Sequence, residues 1–206
     1  MALPLRLGVT GGIASGKSTV VAQLAGRGAA IIDTDAIAHA LTGPQGAAVG
    51  PIRAAFGEQV LDPRGALDRA RMRDIVFADP RQRARLEGIL HPLILEACLE
   101  QARAREAAAP LLVFDVPLLV EAQALGRALH LDRVLLVDCP PALQRARARL
   151  RGTMSDEQVR AVISSQAGRS DRLDAADDIL VNAGSPEALR ARVDQLWDVY
   201  SGPRTM

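Results

Sequence analysis

Lysine is nearly absent from this chain. Lys17 is the only one among 25 basic residues; every other is arginine, so most single arginines carry little information. Cysteine is almost as scarce. Cys98 and Cys139 stand far apart, without the paired spacing of a metal site. The opening Met1-Ala2-Leu3-Pro4-Leu5 is too short and broken for an export segment, so a reducing, cytoplasmic setting is expected. No run approaches the ~18 apolar residues that a membrane helix requires. A surplus of one charge is missing too: the formal net charge is +1, which marks no nucleic-acid or membrane surface. Internal repeats and low-complexity linkers are absent.

What is present is an ordinary globular composition, 206 residues with 49% hydrophobic and 24% charged. That length predicts one domain with helical insertions. Short apolar runs at Leu5–Val9, Ala29–Ile32, Leu111–Phe114, Val134–Val137 and, more weakly, Ile179–Val181 read as buried strands. Helical segments separate them, which predicts parallel pairing in a sheet covered on both faces. Ligands of such sheets sit at the carboxyl ends of the strands. Asp33, Asp115 and a glycine-rich loop fall there.

Residues 36–106 read as helical, with turn signals at Gly43-Pro44, Asp62-Pro63-Arg64-Gly65 and Asp79-Pro80. Asp79 is an expected N-cap, and Pro92 is expected to break the helix at His91. This is too long for a simple crossover and is expected to form a second wall of the site. Residues 143–175 form an arginine-rich helical stretch. The last helix opens at Ser185-Pro186-Glu187, and Leu189, Val193, Leu196, Trp197 and Tyr200 share one face. That spacing makes Trp197 a core residue rather than a stacking platform.

The loop Gly11-Gly12-Ile13-Ala14-Ser15-Gly16-Lys17-Ser18 has the Gly-x-x-x-x-Gly-Lys-Ser pattern between a strand and an amphipathic helix. Its glycines let backbone N–H groups wrap phosphate oxygens, and the helix N-terminus adds partial positive charge. Lys17 is expected on the β- and γ-phosphates and Ser18 on Mg²⁺. Thr19 either contacts a phosphate or continues the helix. The Asn-Lys-x-Asp signature that reads guanine is impossible here, because the only lysine is already used. A short chain with a helical insertion and an arginine-rich segment points to a small-molecule kinase, which must exclude water from ATP.

With these pieces placed, the sequence resembles the dephospho-CoA kinase family along nearly its whole length. The resemblance rests on Thr10 to Thr19, Ile32-Asp33-Thr34-Asp35, Phe56-Gly57, Leu67-Asp68-Arg69 and Leu90-His91-Pro92-Leu93-Ile94. It continues through Asp115-Val116-Pro117-Leu118-Leu119-Val120-Glu121, Gln144-x-x-Arg147-x-x-x-Arg151, Gln166, Ala176-Asp177 and Asn182-x-Gly184. Two positions depart from it: Ala14 replaces the usual glycine, and Val162 stands where many members have arginine.

The resemblance implies transfer of the ATP γ-phosphoryl group to the ribose 3′-hydroxyl of dephospho-CoA, giving CoA and ADP, the last step of coenzyme A synthesis. It implies an α/β, P-loop NTPase-type three-layer fold with a five-stranded parallel sheet, a helical substrate-binding insertion and a helical lid. The nucleotide core would comprise 1–35, 107–142 and 176–206, the CoA-substrate domain 36–106 and the lid 143–175. ATP and dephospho-CoA are the expected partners, with no nucleic acid and no membrane, and the protein a monomer or small homo-oligomer.

By the same resemblance Asp33 accepts the proton of the acceptor hydroxyl; Asp35 either shares this work or caps the following helix. Asp115 either holds Mg²⁺ through water, orients the acceptor, or makes structural hydrogen bonds. Arg69, His91, Leu118 and Glu121 are expected in the acceptor pocket, although a histidine at a helix boundary is as readily structural. At about 100° per residue, Arg145 and Arg149 share one helix face and Arg147 and Arg151 nearly the opposite one. The family pattern selects Arg147 and Arg151 for the phosphates, with Arg172 a further candidate. Asn182 either borders the adenine or makes the turn after the last strand. Two rival readings stay open: a nucleoside monophosphate kinase, and a regulatory module that binds ATP without transferring phosphate.

Overall fold

The computed structural model describes residues 3–152 and 154–202. Five strands form one sheet: β1 (Leu5–Thr10), β2 (Ala30–Asp33), β3 (Leu111–Asp115), β4 (Arg133–Asp138) and β5 (Asp178–Val181), in the order β2-β3-β1-β4-β5. β1 pairs in parallel with β3 on one side and β4 on the other, and β4 pairs in parallel with β5. The central strands are nearly continuous Leu, Val and Phe because both faces are covered. Leu7, Val9, Val113, Leu135 and Val137 face a core closed by Val20, Val21 and Leu24 of α1 (Lys17–Gly26) and by Leu189, Val193 and Tyr200 of α10 (Pro186–Ser201). Leu112, Phe114 and Leu136, alternating with these, are equally buried.

Trp197 packs against that core, as its spacing predicts. Ser185 caps α10 by accepting from Ala188 N at 3.3 Å, with Pro186 in the first helical position. Cys98 and Cys139 are free and buried, and burial pushes the Cys98 thiol up to about 11. Both lack the exposure of a reactive thiol.

The chain divides into two compact units, residues 1–32 with 102–206, and residues 33–101. The second contains α2 (Thr34–Leu41), α3 (Val49–Phe56), α4 (Arg69–Ala78) and most of α5 (Pro80–Arg105). Its core is Ala48, Ile52, Phe56, Val60 and Met72. Asp62 accepts from Arg64 N and Ala66 N to close the expected turn, and Asp79 caps α5 through Arg81 N at 2.8 Å. The first unit continues through α6 (Gln123–Ala128), α7 (Pro141–Leu150), α8 (Asp156–Ser165) and α9 (Arg169–Asp174).

The expected helix boundary at His91 is not there. α5 runs unbroken through Pro92. A proline within a helix removes one hydrogen bond and crowds the carbonyl four residues back. That residue is Gly88, exposed like Pro92 and with open space around it. Water can satisfy the freed carbonyl, so the cost is tolerated. Pro92→Ala should therefore stabilise the protein by about 1–3 kcal/mol in urea unfolding; an unchanged midpoint would show that the proline costs nothing here.

Candidate active site

The glycine-rich loop leaves β1 at Thr10, whose hydroxyl donates to Pro117 O at 3.1 Å, and enters α1 at Lys17. Gly16 stands at the N-cap with φ 98°, a left-handed conformation that strains any residue with a Cβ. Added carbon there would also collide with Asn182 Nδ2. At Gly12 the constraint is close approach. A methyl would run into Gln144 Nε2 and lie 3.3 Å from Arg172 Nη2. Gly11, Ala14 and Ser15 are buried, Ile13 is half-buried, and Ser18 and Thr19 are exposed on the first turn of α1. Ala14, the departure from the family pattern, is held at φ 55°. The loop keeps its shape there at the expense of backbone strain.

Lys17 Nζ forms an ion pair with Asp115 Oδ1, both side chains being largely buried. Asp115 ends β3, and Lys17 opens α1 after the loop that leaves the neighbouring strand β1. On the other flank, Asn182 Nδ2 donates to Ser15 O at 2.7 Å, so Asn182 props the loop from beneath. Asn182 O in turn accepts from Arg147 Nη1 at 3.1 Å, and the same guanidinium reaches Cys139 Sγ at 3.4 Å. Burial raises the Cys139 thiol, with Arg147 opposing. A cavity of about 330 Å³ lies beside Asn182, lined also by Ala183, Gly184, Ala188, Leu189 and Arg192.

The arginines in and next to α7 differ in exposure. Arg147 is half-buried, whereas Arg145 and Arg149 are exposed. Arg149 is not merely solvated, because it pairs with Asp156 at the start of α8. Arg151 is exposed at the C-cap of α7. Arg172 sits against Gly12 and donates to Ala167 O. Glu121 accepts from Ala167 N at 2.6 Å, and Leu118 is 46% exposed.

Three residues that sequence reasoning gave no role also stand here. Gln144 is buried beside Gly12; Gln166 Oε1 accepts from Ile13 N at 3.1 Å; and Arg169 clamps the buried carboxylate of Asp138. Asp138 ends an apolar strand run just as Asp115 does, so the same signal would have found it. Arg169 had no such mark in an arginine-rich chain.

The second unit holds the remaining predicted residues. Asp33, not Asp35, caps α2, accepting from Ala36 N at 2.9 Å through Oδ1. The helix starts immediately after the strand, so Asp33 takes the cap and Asp35 falls exposed in the first turn. Arg69 Nη2 donates to Thr42 Oγ1 at 2.8 Å at a cavity of about 230 Å³, lined further by Met72, Arg73, Leu86 and Leu90. His91 is half-buried in mid-helix.

A family profile described as dephospho-CoA kinase matches residues 5–187. The chain belongs to the dephospho-CoA kinase family. A family member from Aromatoleum aromaticum, named dephospho-CoA kinase, is 50% identical over 194 residues, covering 94% of this chain and 93% of its own length. The crystal structure of TT1252 from Thermus thermophilus superposes with a TM-score of 0.83 at 31% identity, covering 98% of this chain and 100% of the other. A structure of dephospho-CoA kinase from Campylobacter jejuni gives a TM-score of 0.68 at 27% identity, with 94% and 96% covered.

The two small residues of the loop should respond in opposite ways. Ala14→Gly removes left-handed strain but loosens the unfolded chain, so stability should change by less than about 1 kcal/mol, on the favourable side. Gly16→Ala should cost at least about 1 kcal/mol and weaken ATP binding in calorimetry. Equal effects would contradict the backbone argument.

Proposed function

We propose that this protein transfers the γ-phosphoryl group of ATP to the ribose 3′-hydroxyl of dephospho-CoA, releasing CoA and ADP. The observation that carries this reading is the Lys17–Asp115 pair over a strained phosphate loop, in a chain of this family. Asp115 holds the Lys17 ammonium at the loop, where it would spread the negative charge of the β- and γ-phosphates of ATP.

The acceptor's O–P bond forms as the bond from the γ-phosphorus to the ADP oxygen breaks, and the hydroxyl proton passes to Asp33. One oxygen of Asp33 is committed to Ala36 N, which fixes the carboxylate and leaves the other oxygen to receive that proton. Arg147, Arg151 and Arg172 stabilise charge on the transferring group. Asn182 and its cavity take the adenine side of ATP, while Arg69, His91, Leu118 and Glu121 belong with the acceptor.

Mg²⁺ fits the donors available, since the Ser18 hydroxyl and the Asp115 carboxylate are hard oxygen ligands. Among the described residues no group of three or more His, Cys, Asp or Glu could hold a metal by itself. Held by these two residues together with ATP, the ion would neutralise phosphate charge.

The same reading makes it a cytoplasmic protein, a monomer or small homo-oligomer, working on small molecules without nucleic acid or membrane. The net charge of +1 marks no broad basic surface, and among the described residues no helix is long and apolar enough to cross a membrane.

An ADP-release assay with dephospho-CoA, AMP, CMP and shikimate tests the acceptor. Dephospho-CoA should turn over fastest; preference for AMP or CMP would make this a nucleotide kinase. Asp33→Asn should keep ATP binding yet lose about 10²–10⁴-fold in transfer rate. Lys17→Ala should lower kcat/KM by at least about 10²-fold; near-normal turnover in either variant would contradict the role given to it.

A further inference from the structure

Residues 166–168 join α8 to α9, and with Arg169, the first residue of α9, they are tied to three separate places: the phosphate loop, the segment after β3 and the end of β4. The backbone is extended at Gln166, with ψ 155°, and at Gly168, with ψ 152°, so neither helix continues through. Gln166 Oε1 accepts from Ile13 N in the phosphate loop at 3.1 Å. Ala167 N donates to Glu121 Oε1, in the segment after β3, at 2.6 Å. Arg169 donates from Nε and Nη2 to Asp138, at the end of β4, at 3.0 and 2.7 Å. Arg172, whose guanidinium bonds Ala167 O, has its other nitrogen against Gly12.

The Asp138 side chain is 3% exposed. A buried carboxylate answered by a bidentate guanidinium makes a firm anchor, since neither charge is easily left alone. α7 is held at Arg147 by Asn182 O, and the Arg149–Asp156 pair links α7 to α8 without touching the sheet. The arginine-bearing segment is held at Arg147, through the small apolar cluster of Ala14, Ala148 and Val159 with Ile13 and Ile163, and by the polar bonds of this strap. Within the strap, Arg169 binds the end of β4 and Ala167 the segment after β3. Gln166 alone binds the loop that must wrap the phosphates.

We infer that Gln166 is a positioning residue, whose side-chain carbonyl locks the Ile13 corner of the phosphate loop to the strap that carries α7 and α8. The inference rests on the phosphate-site reading above. The Ile13 N–H is spent on Gln166, so this corner serves as the loop's attachment while neighbouring N–H groups address phosphate. Losing the bond would leave loop and arginines present but out of register, and water would compete with the acceptor for the γ-phosphoryl group.

The test uses Gln166→Met, which keeps length and loses the acceptor oxygen, and Gln166→Glu, which keeps an acceptor oxygen at the same place. The quantity read is ATP hydrolysed per CoA formed, a ratio that does not depend on the fraction folded. Gln166→Met should raise it at least about 5-fold and lower kcat for transfer about 10-fold, while Gln166→Glu should return the ratio to within about 2-fold of the parent. A ratio in Gln166→Met equal to the parent's would overturn the inference, as would Gln166→Glu being equally uncoupled. Hydrogen exchange at Ile13 gives a second readout that needs no acceptor. It should quicken in Gln166→Met and stay slow in Gln166→Glu, and identical exchange in both would overturn the inference. Failure of the parent protein to form CoA would instead count against the acceptor assignment, and the exchange result would still decide the role of Gln166.

Discussion

The ion pair between Lys17 and Asp115 is the interaction around which the rest of this site is arranged. Each side chain is mostly withdrawn from water, and neither charge would be tolerated there alone. Parallel pairing of β1 with β3 brings the two strand ends side by side, and the sheet's apolar faces hold that register. The pair fixes the ammonium beside the loop, which lowers the reorganisation that nucleotide binding demands.

The loop itself cannot hold its shape by local preference. Gly16 accepts its left-handed backbone freely, but Ala14 does not, and the strain there must be met by surrounding contacts. Those contacts come from distant parts of the chain: Asn182 under Ser15, Gln166 on Ile13, and Gln144 with Arg172 packed at Gly12. The residue after β5, the end of α8, α7 and α9 thus each contribute one polar side chain to the same eight-residue turn. A phosphate cradle built on backbone groups needs such scaffolding because the cradle has almost no side chains of its own to pack.

Much of the fold was legible in the sequence because its signals are local. Apolar runs ending in Asp marked β2, β3 and β4; Asp79 and Ser185 announced their helices; the periodicity of α10 put Trp197 in the core. Where reading failed, a nearby rule was outweighed by context. Pro92 looked like a boundary, but an exposed glycine four residues earlier lets α5 pass through it. A helix cap was one of two roles open to Asp35, but the helix begins two residues sooner than that role requires, so Asp33 takes it. The strap at residues 166–169 was not legible at all. Its bonds span 153, 46 and 31 positions, and neither propensity nor spacing encodes such partners.

The scarcity of lysine offers the most direct check on the phosphate site. In protein labelled with ¹⁵N-lysine, the only labelled backbone amide is that of Lys17, at the first residue of α1. Titration with ATP should shift this one resonance and saturate at one nucleotide per chain, and ADP should shift it in the same direction. A Lys17 amide that stays in place while the protein is saturated with ATP would contradict the placement of the donor nucleotide in the glycine-rich loop.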